Sequence, residues 1–213
     1  NDGVKGEQGM FLVRAKDADP DDRLAQSVSF RADQATGALM TPAELAAINT
    51  PDAVLTRRMS KTFFAGEDSI ADYTVNYRKD GQQIRSFSVN FYGTGNWRAT
   101  DQANVTSETP LSISMSFRRF NASTEQQITD NIASLGSAAV DLKMPDPSST
   151  KTPKDETIIG KRTSITHFTG DDAIADYTEN FRTGTNTLRS TSVNFYEHQN
   201  ELPDQDLDND CVK

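Results

Sequence analysis

The sequence predicts a mainly β protein, an antiparallel β-meander built from two tandem repeats with a short helical insert in each. Three observations predict it. Residues 58–92 align without a gap to 162–196, and 20 of the 35 aligned positions are identical, a density that marks internal duplication. Strings such as SVSFR, TVNYR, SMSFR and SVNFY set small polar residues alternately with apolar ones, the period-two pattern of strands with one buried face. Turn residues punctuate these strings at short intervals, as a meander requires.

The elements follow in order. Strands are expected near 24–31, 56–65, 71–79 and 83–92, and again near 111–119, 160–169, 175–183 and 187–197, with an additional strand at 9–15. Leu111, Ile113, Met115 and Phe117 fall on one face of their strand, against Ser112, Ser114 and Ser116. Tyr73, Val75 and Tyr77, and then Phe87, Val89 and Phe91, repeat the scheme. Asp80-Gly81 favours a tight hairpin turn between these two strands, because both residues tolerate positive φ. Residues 183–186 occupy the same place in the second repeat.

Helix enters as inserts. Thr41-Pro42-Ala43-Glu44 has the form of a capping box with proline at the first helical position, opening a helix over about 41–50. A second helix is expected over about 123–136, where Ile128, Ile132 and Leu135 share a face. Both inserts follow the first strand of their repeat, and they are expected to cover one side of the sheet. Repeat 1 thus spans 1–98 and repeat 2 spans 99–200. The second repeat carries a Pro/Ser/Thr/Lys loop insertion at about 143–157, and residues 201–213 form an acidic tail. Upstream of the first strand, Arg14, Ala15 and Asp17 match Arg98, Ala99 and Asp101.

Composition narrows the function. A formal charge of −9 repels phosphate backbones and anionic lipid surfaces, so nucleic-acid partners are not expected. No apolar run is long enough to span a bilayer as a helix, and membrane insertion is not expected either. A single cysteine, Cys211, leaves no internal disulfide framework. Mean hydropathy is −0.64, while 11 Phe and 5 Tyr concentrate apolar area in a few large side chains.

The chemistry-bearing residues are few. His167 takes the place that Phe63 holds in the other repeat, which marks a packing or surface position, and His198 lies past the last strand. The segment from Gly66 to Asp72 returns as Gly170 to Asp176, so the acidic turn containing Asp68 and Asp72 is duplicated as Asp172 and Asp176. Two readings compete for it: carboxylates bonding local backbone amides, or carboxylates holding Ca²⁺, which takes six to eight oxygens. Asp204, Asp206, Asp208 and Asp210 alternate in the tail like the opening of a calcium loop, although Asn209 replaces its glycine. Trp97, Tyr92 and Tyr196 are candidate exposed aromatics for a ligand surface.

The unit DYTVNYRKDGQQIRSFSVNFYGTG resembles the YD-type hairpin repeats of large bacterial surface and secreted proteins. It departs from them where Arg78 or Arg182 follows the aromatic residue. The resemblance implies architecture and an extracellular or cell-surface setting, and it brings no catalytic residues. The expected function is a non-enzymatic structural or adhesive module, with calcium as the candidate stiffener. Partners would be other chains paired through edge strands, or a glycan or protein on a surface. The alternatives are a carbohydrate-binding module and a carboxylate-dependent glycoside hydrolase.

Overall fold

A computed structural model describes residues 14, 18–32, 36, 38, 40–48, 55–118, 162–182 and 187–196. The expected strand at 9–15, apart from Arg14, lies outside the described residues, as do the helix at 123–136, the loop at 143–157 and the tail.

The alternating strings build one open antiparallel sheet of eight strands whose order in space is their order in sequence. The strands are β1 (Gln26–Phe30), β2 (Arg58–Ala65), β3 (Ile70–Tyr77), β4 (Ile84–Tyr92), β5 (Leu111–Arg118), β6 (Arg162–Thr169), β7 (Ile174–Phe181) and β8 (Leu188–Val193). Every strand expected within the described residues forms, with ends shifted by a few positions. A meander keeps each strand beside its sequence neighbour, so hydrogen-bonded hairpins complete most of the ladder.

Period-two alternation sorts the two faces. Tyr73, Val75, Tyr77, Ile84, Phe87, Val89, Phe91, Met115, Phe117 and Ile165 form one buried cluster. The rings of Phe87 and Phe117 stack at 4.9 Å across the β4/β5 boundary, so apolar packing runs through the junction that joins the first four strands to the last four. At the rim of this face Arg58 lies 3.7 Å over the Tyr77 ring, and Arg162 lies 3.9 Å over Phe181. Each guanidinium covers the face of its ring, and both arginines are buried.

The first four strands and the last four share their registers. Ser60 faces Asn76 and Phe63 faces Tyr73, as Ser164 faces Asn180 and His167 faces Tyr177. The register shift between Phe63 and Phe64 recurs between His167 and Phe168, and that between Asn76 and Tyr77 recurs between Asn180 and Phe181. The shift at Ser29/Phe30 recurs at Ser116/Phe117. Such shifts insert an unpaired residue and sharpen the local twist.

The β3–β4 hairpin closes as Asp80-Gly81 predicts. Gly81 has φ +67°, its amide bonds the Arg78 carbonyl at 2.9 Å, and Asp80 Oδ1 accepts from the amides of Gln82 and Gln83. These two amides hold the Asp80 carboxyl below its ordinary value.

The one described α-helix, α1 (Pro42–Ala47), has the expected capping box. The Thr41 hydroxyl accepts from the Glu44 amide at 3.2 Å, and Glu44 Oε2 accepts from the Thr41 amide at 2.7 Å. It is shorter than the expected 41–50, since the backbone turns extended at Ile48. The expectation that it covers the sheet fails: none of its six residues is buried. No helix among the described residues is long and apolar enough to cross a membrane.

Candidate interaction surfaces

The register shift in the β2/β3 pair creates the most specific arrangement in the molecule. Phe63 pairs with Tyr73 and Phe64 with Ala71, so Asp72 is the extra residue and departs from the regular ladder. Its carboxylate meets Arg98, with Nε to Oδ1 at 2.7 Å and Nη2 to Oδ2 at 2.5 Å, and both side chains are buried. This bidentate geometry satisfies two charges that would be costly to bury singly. The Ala71 carbonyl beside the shift accepts from Asn90 Nδ2 at 3.2 Å and from the Tyr92 hydroxyl at 2.5 Å. Asn90 and Tyr92 are two apart on β4 and converge on one acceptor.

The β4–β5 connection closes over this end of the sheet. Tyr92, Ala99 and Val105 form a second buried cluster, against which Ala65, Ile70, Trp97 and Leu111 pack. Trp97 exchanges backbone bonds with Tyr92, at 2.8 and 2.9 Å. The Trp97 ring lies so close over Gly95 that a Cβ there would come within 2.3 Å of it. Asp68 accepts from the Ser107 amide at 2.9 Å, tying the acidic turn to the same connection.

The candidate residues are therefore placed as follows. Asp72 is committed to Arg98 and Asp68 to a backbone amide. Asp172 and Asp176 are exposed. Among the described residues no group of three or more His, Cys, Asp or Glu side chains converges as a metal set. Asp204, Asp206, Asp208 and Asp210 lie outside the described residues. Tyr92, expected among the exposed aromatics, is 8% exposed, because its hydroxyl reaches inward to Ala71. Burial pushes that hydroxyl up to about 12. Trp97 is half-buried and Tyr196 exposed.

At the far end of the sheet the same sequence meets different surroundings. The Ala175 carbonyl accepts from Asn194 at 2.9 Å and from the Tyr196 hydroxyl at 2.6 Å, repeating the Asn90/Tyr92 arrangement. Yet Tyr196 is 63% exposed, and Phe195 is 91% exposed where its counterpart Phe91 is 0%. Val193 and Leu188 are exposed where Val89 and Ile84 are buried. Sequence reasoning missed Phe195 as a surface residue, since its string SVNFY is identical to the buried one. It also missed Arg98 as the partner of Asp72, although the match of Arg98 to Arg14 signalled a repeated role.

His167 behaves as a packing residue. Its ring stacks on Tyr177 at 4.2 Å, as the ring of Phe63 stacks on Tyr73 at 4.3 Å, and its Nε2 lies 3.3 Å from Glu179. The polar face carries the other ordered feature. Ser27, Thr62, Thr74, Ser88, Ser116, Ser164, Asn180 and Ser190 pair in succession, one residue from each of the eight strands. No pair in that rank is apolar, and Thr62 bonds Thr74 at 2.9 Å through their hydroxyls. Compared with known protein families, curated proteins and solved structures, the chain matches none.

Proposed function

We propose that this chain is a non-enzymatic structural or adhesive module of an extracellular or cell-surface protein, made of two tandem four-strand copies. The observation that supports it most is the coincidence of register. Strand pairings, shifted positions, the Asn-x-Tyr clamp on an alanine carbonyl and the arginine over an aromatic ring all recur in corresponding places. Duplication of a whole sheet unit lengthens a scaffold and offers repeated surface, whereas an active site is a single asymmetric constellation. The resemblance to bacterial hairpin repeats supports the surface setting.

Labelling intact cells that make the protein, with an antibody to the folded chain, tests the setting. Staining before permeabilisation is expected, and staining only after lysis would contradict it. Calcium stiffening remains part of this proposal through the acidic tail. It predicts a rise in the unfolding midpoint with calcium that is reversed by chelator and lost when the chain stops before Asp204.

A second reading has its own observation. The rank of hydroxyl and amide side chains, spaced by the roughly 4.8 Å separation of strands, suits hydrogen bonding to an extended glycan. Binding on a glycan panel that is lost on Thr74→Val and Ser116→Val together would favour it, and a blank panel would sink it.

A further inference from the structure

We propose that β8 takes the outer edge of β1 from a second copy of this chain as its next strand, in the register that β4 takes with β5. The proposal rests on the tandem-copy reading and adds a partner and a pairing to it. β1 and β8 are the two ends of the sheet, and no strand among the described residues pairs with their outer edges. Among the described residues each edge therefore presents unpaired backbone donors and acceptors, a template for a further strand. Inside the chain the equivalent edges already meet, since β4 corresponds to β8 and β5 to β1.

That internal junction specifies the contact. β4 pairs Phe87 with Phe117, Ser88 with Ser116, Val89 with Met115, Asn90 with Ser114 and Phe91 with Ile113. Carried onto the free edges, Thr191 meets Phe30, Ser192 meets Ser29, Val193 meets Val28, Asn194 meets Ser27 and Phe195 meets Gln26 of the second copy. Val193, Phe195, Val28 and Phe30 fall on the apolar face, where Thr191 and Gln26 stand in for Phe87 and Ile113, and Ser192, Asn194, Ser29 and Ser27 fall on the polar face.

Burial identifies what is missing at β8. Val89 and Phe91 are fully buried at the internal junction, whereas Val193 is 54% exposed and Phe195 91% exposed. On the other edge Leu24, the counterpart of Leu111, is 50% exposed. The buried ion pair has a counterpart too. Asp176 stands where Asp72 stands and is exposed, and the sequence before β1 carries Arg14 where the β4–β5 connection carries Arg98. Within the single chain Arg14 donates to the Leu45 carbonyl, and on docking it exchanges that acceptor for Asp176 of its neighbour.

An edge that takes the opposite edge of its own kind makes a head-to-tail contact, so copies add in a row, or in a ring where the rotation closes, rather than stopping at a symmetric dimer. The test uses the full chain carrying Cys211→Ser. Val28→Cys and Val193→Cys are made on separate chains and mixed under mild oxidation. A Val28→Cys to Val193→Cys cross-link is expected, with none when Ser29→Cys replaces Val28→Cys, because Ser29 faces the other side of the sheet. Equal cross-linking of both, of neither, or of Val193→Cys with itself overturns the proposal.

Sedimentation of the unmodified chain completes it. Mass should climb past the dimer with concentration, and Val193→Lys or Asp176→Asn should hold it at the monomer with an unchanged unfolding midpoint. A monomer at all concentrations overturns the proposal. An in-register assembly found only inside cells would leave this inference standing and remove the surface setting, while a monomer on the cell surface would do the reverse.

Discussion

Asp72 and Asp176 occupy the same shifted position in identical local sequence, Ile-Ala-Asp-Tyr-Thr, and only one of them is buried against an arginine. Removing one partner of a buried ion pair leaves the other charge uncompensated, which costs about 3–5 kcal/mol. Asp72→Ala should therefore lower stability by about that amount, while Asp176→Ala leaves the monomer's unfolding midpoint unchanged; denaturant melts of both variants check it. Tyr92 is the second residue whose role its surroundings set. Its folded pKa, about 12, lies above the ordinary 10 because burial disfavours the phenolate. The stability it contributes is complete below pH 10 and is lost as pH rises toward 12. Tyr92→Phe should flatten the decline in unfolding midpoint across that alkaline range, and an unaltered decline would show that the hydroxyl is not buried as described.

At the scale of elements, β4 and β8 are the instructive pair. Both end in Ser-Val-Asn-Phe, and both form a hairpin with the strand before them. Phe91→Ala should cost about 3–5 kcal/mol, the range for emptying a buried aromatic site. Phe195→Ala should cost the monomer less than about 0.5 kcal/mol, as surface changes do. Equal losses for the two would mean that β8 is covered in the isolated chain. This pair also marks how far the sequence was legible. Period-two alternation located six of the eight strands, β2 and β6 were placed only within the repeat, and the capping box located α1, since alternation and capping are local signals. Whether an alternating strand is covered on its outer edge depends on its neighbour, so identical strings could not announce that Phe91 is buried and Phe195 exposed. The pairing of Asp72 with Arg98 was likewise hidden, because it joins a strand to a connection 26 residues away. The expectation that α1 covers the sheet failed for the same reason, since a capping box marks where a helix starts and not what it packs on, and Leu45 is 41% exposed.

Across the whole molecule, the first four strands and the last four form one sheet rather than two separate units, joined by the β4/β5 ladder and the Phe87–Phe117 stack. An open sheet of this kind extends by adding a strand at either end without disturbing those already paired, which suits a scaffold. Hydrogen exchange resolved to single amides, on the chain dilute enough to be monomeric, tests this most directly. In a continuous meander the amides on both edges of β4 are protected, while in β8 only the amides facing β7 are. If β4 instead shows the alternating protection expected of β8, the chain is two separate four-strand sheets, and the continuous meander is contradicted.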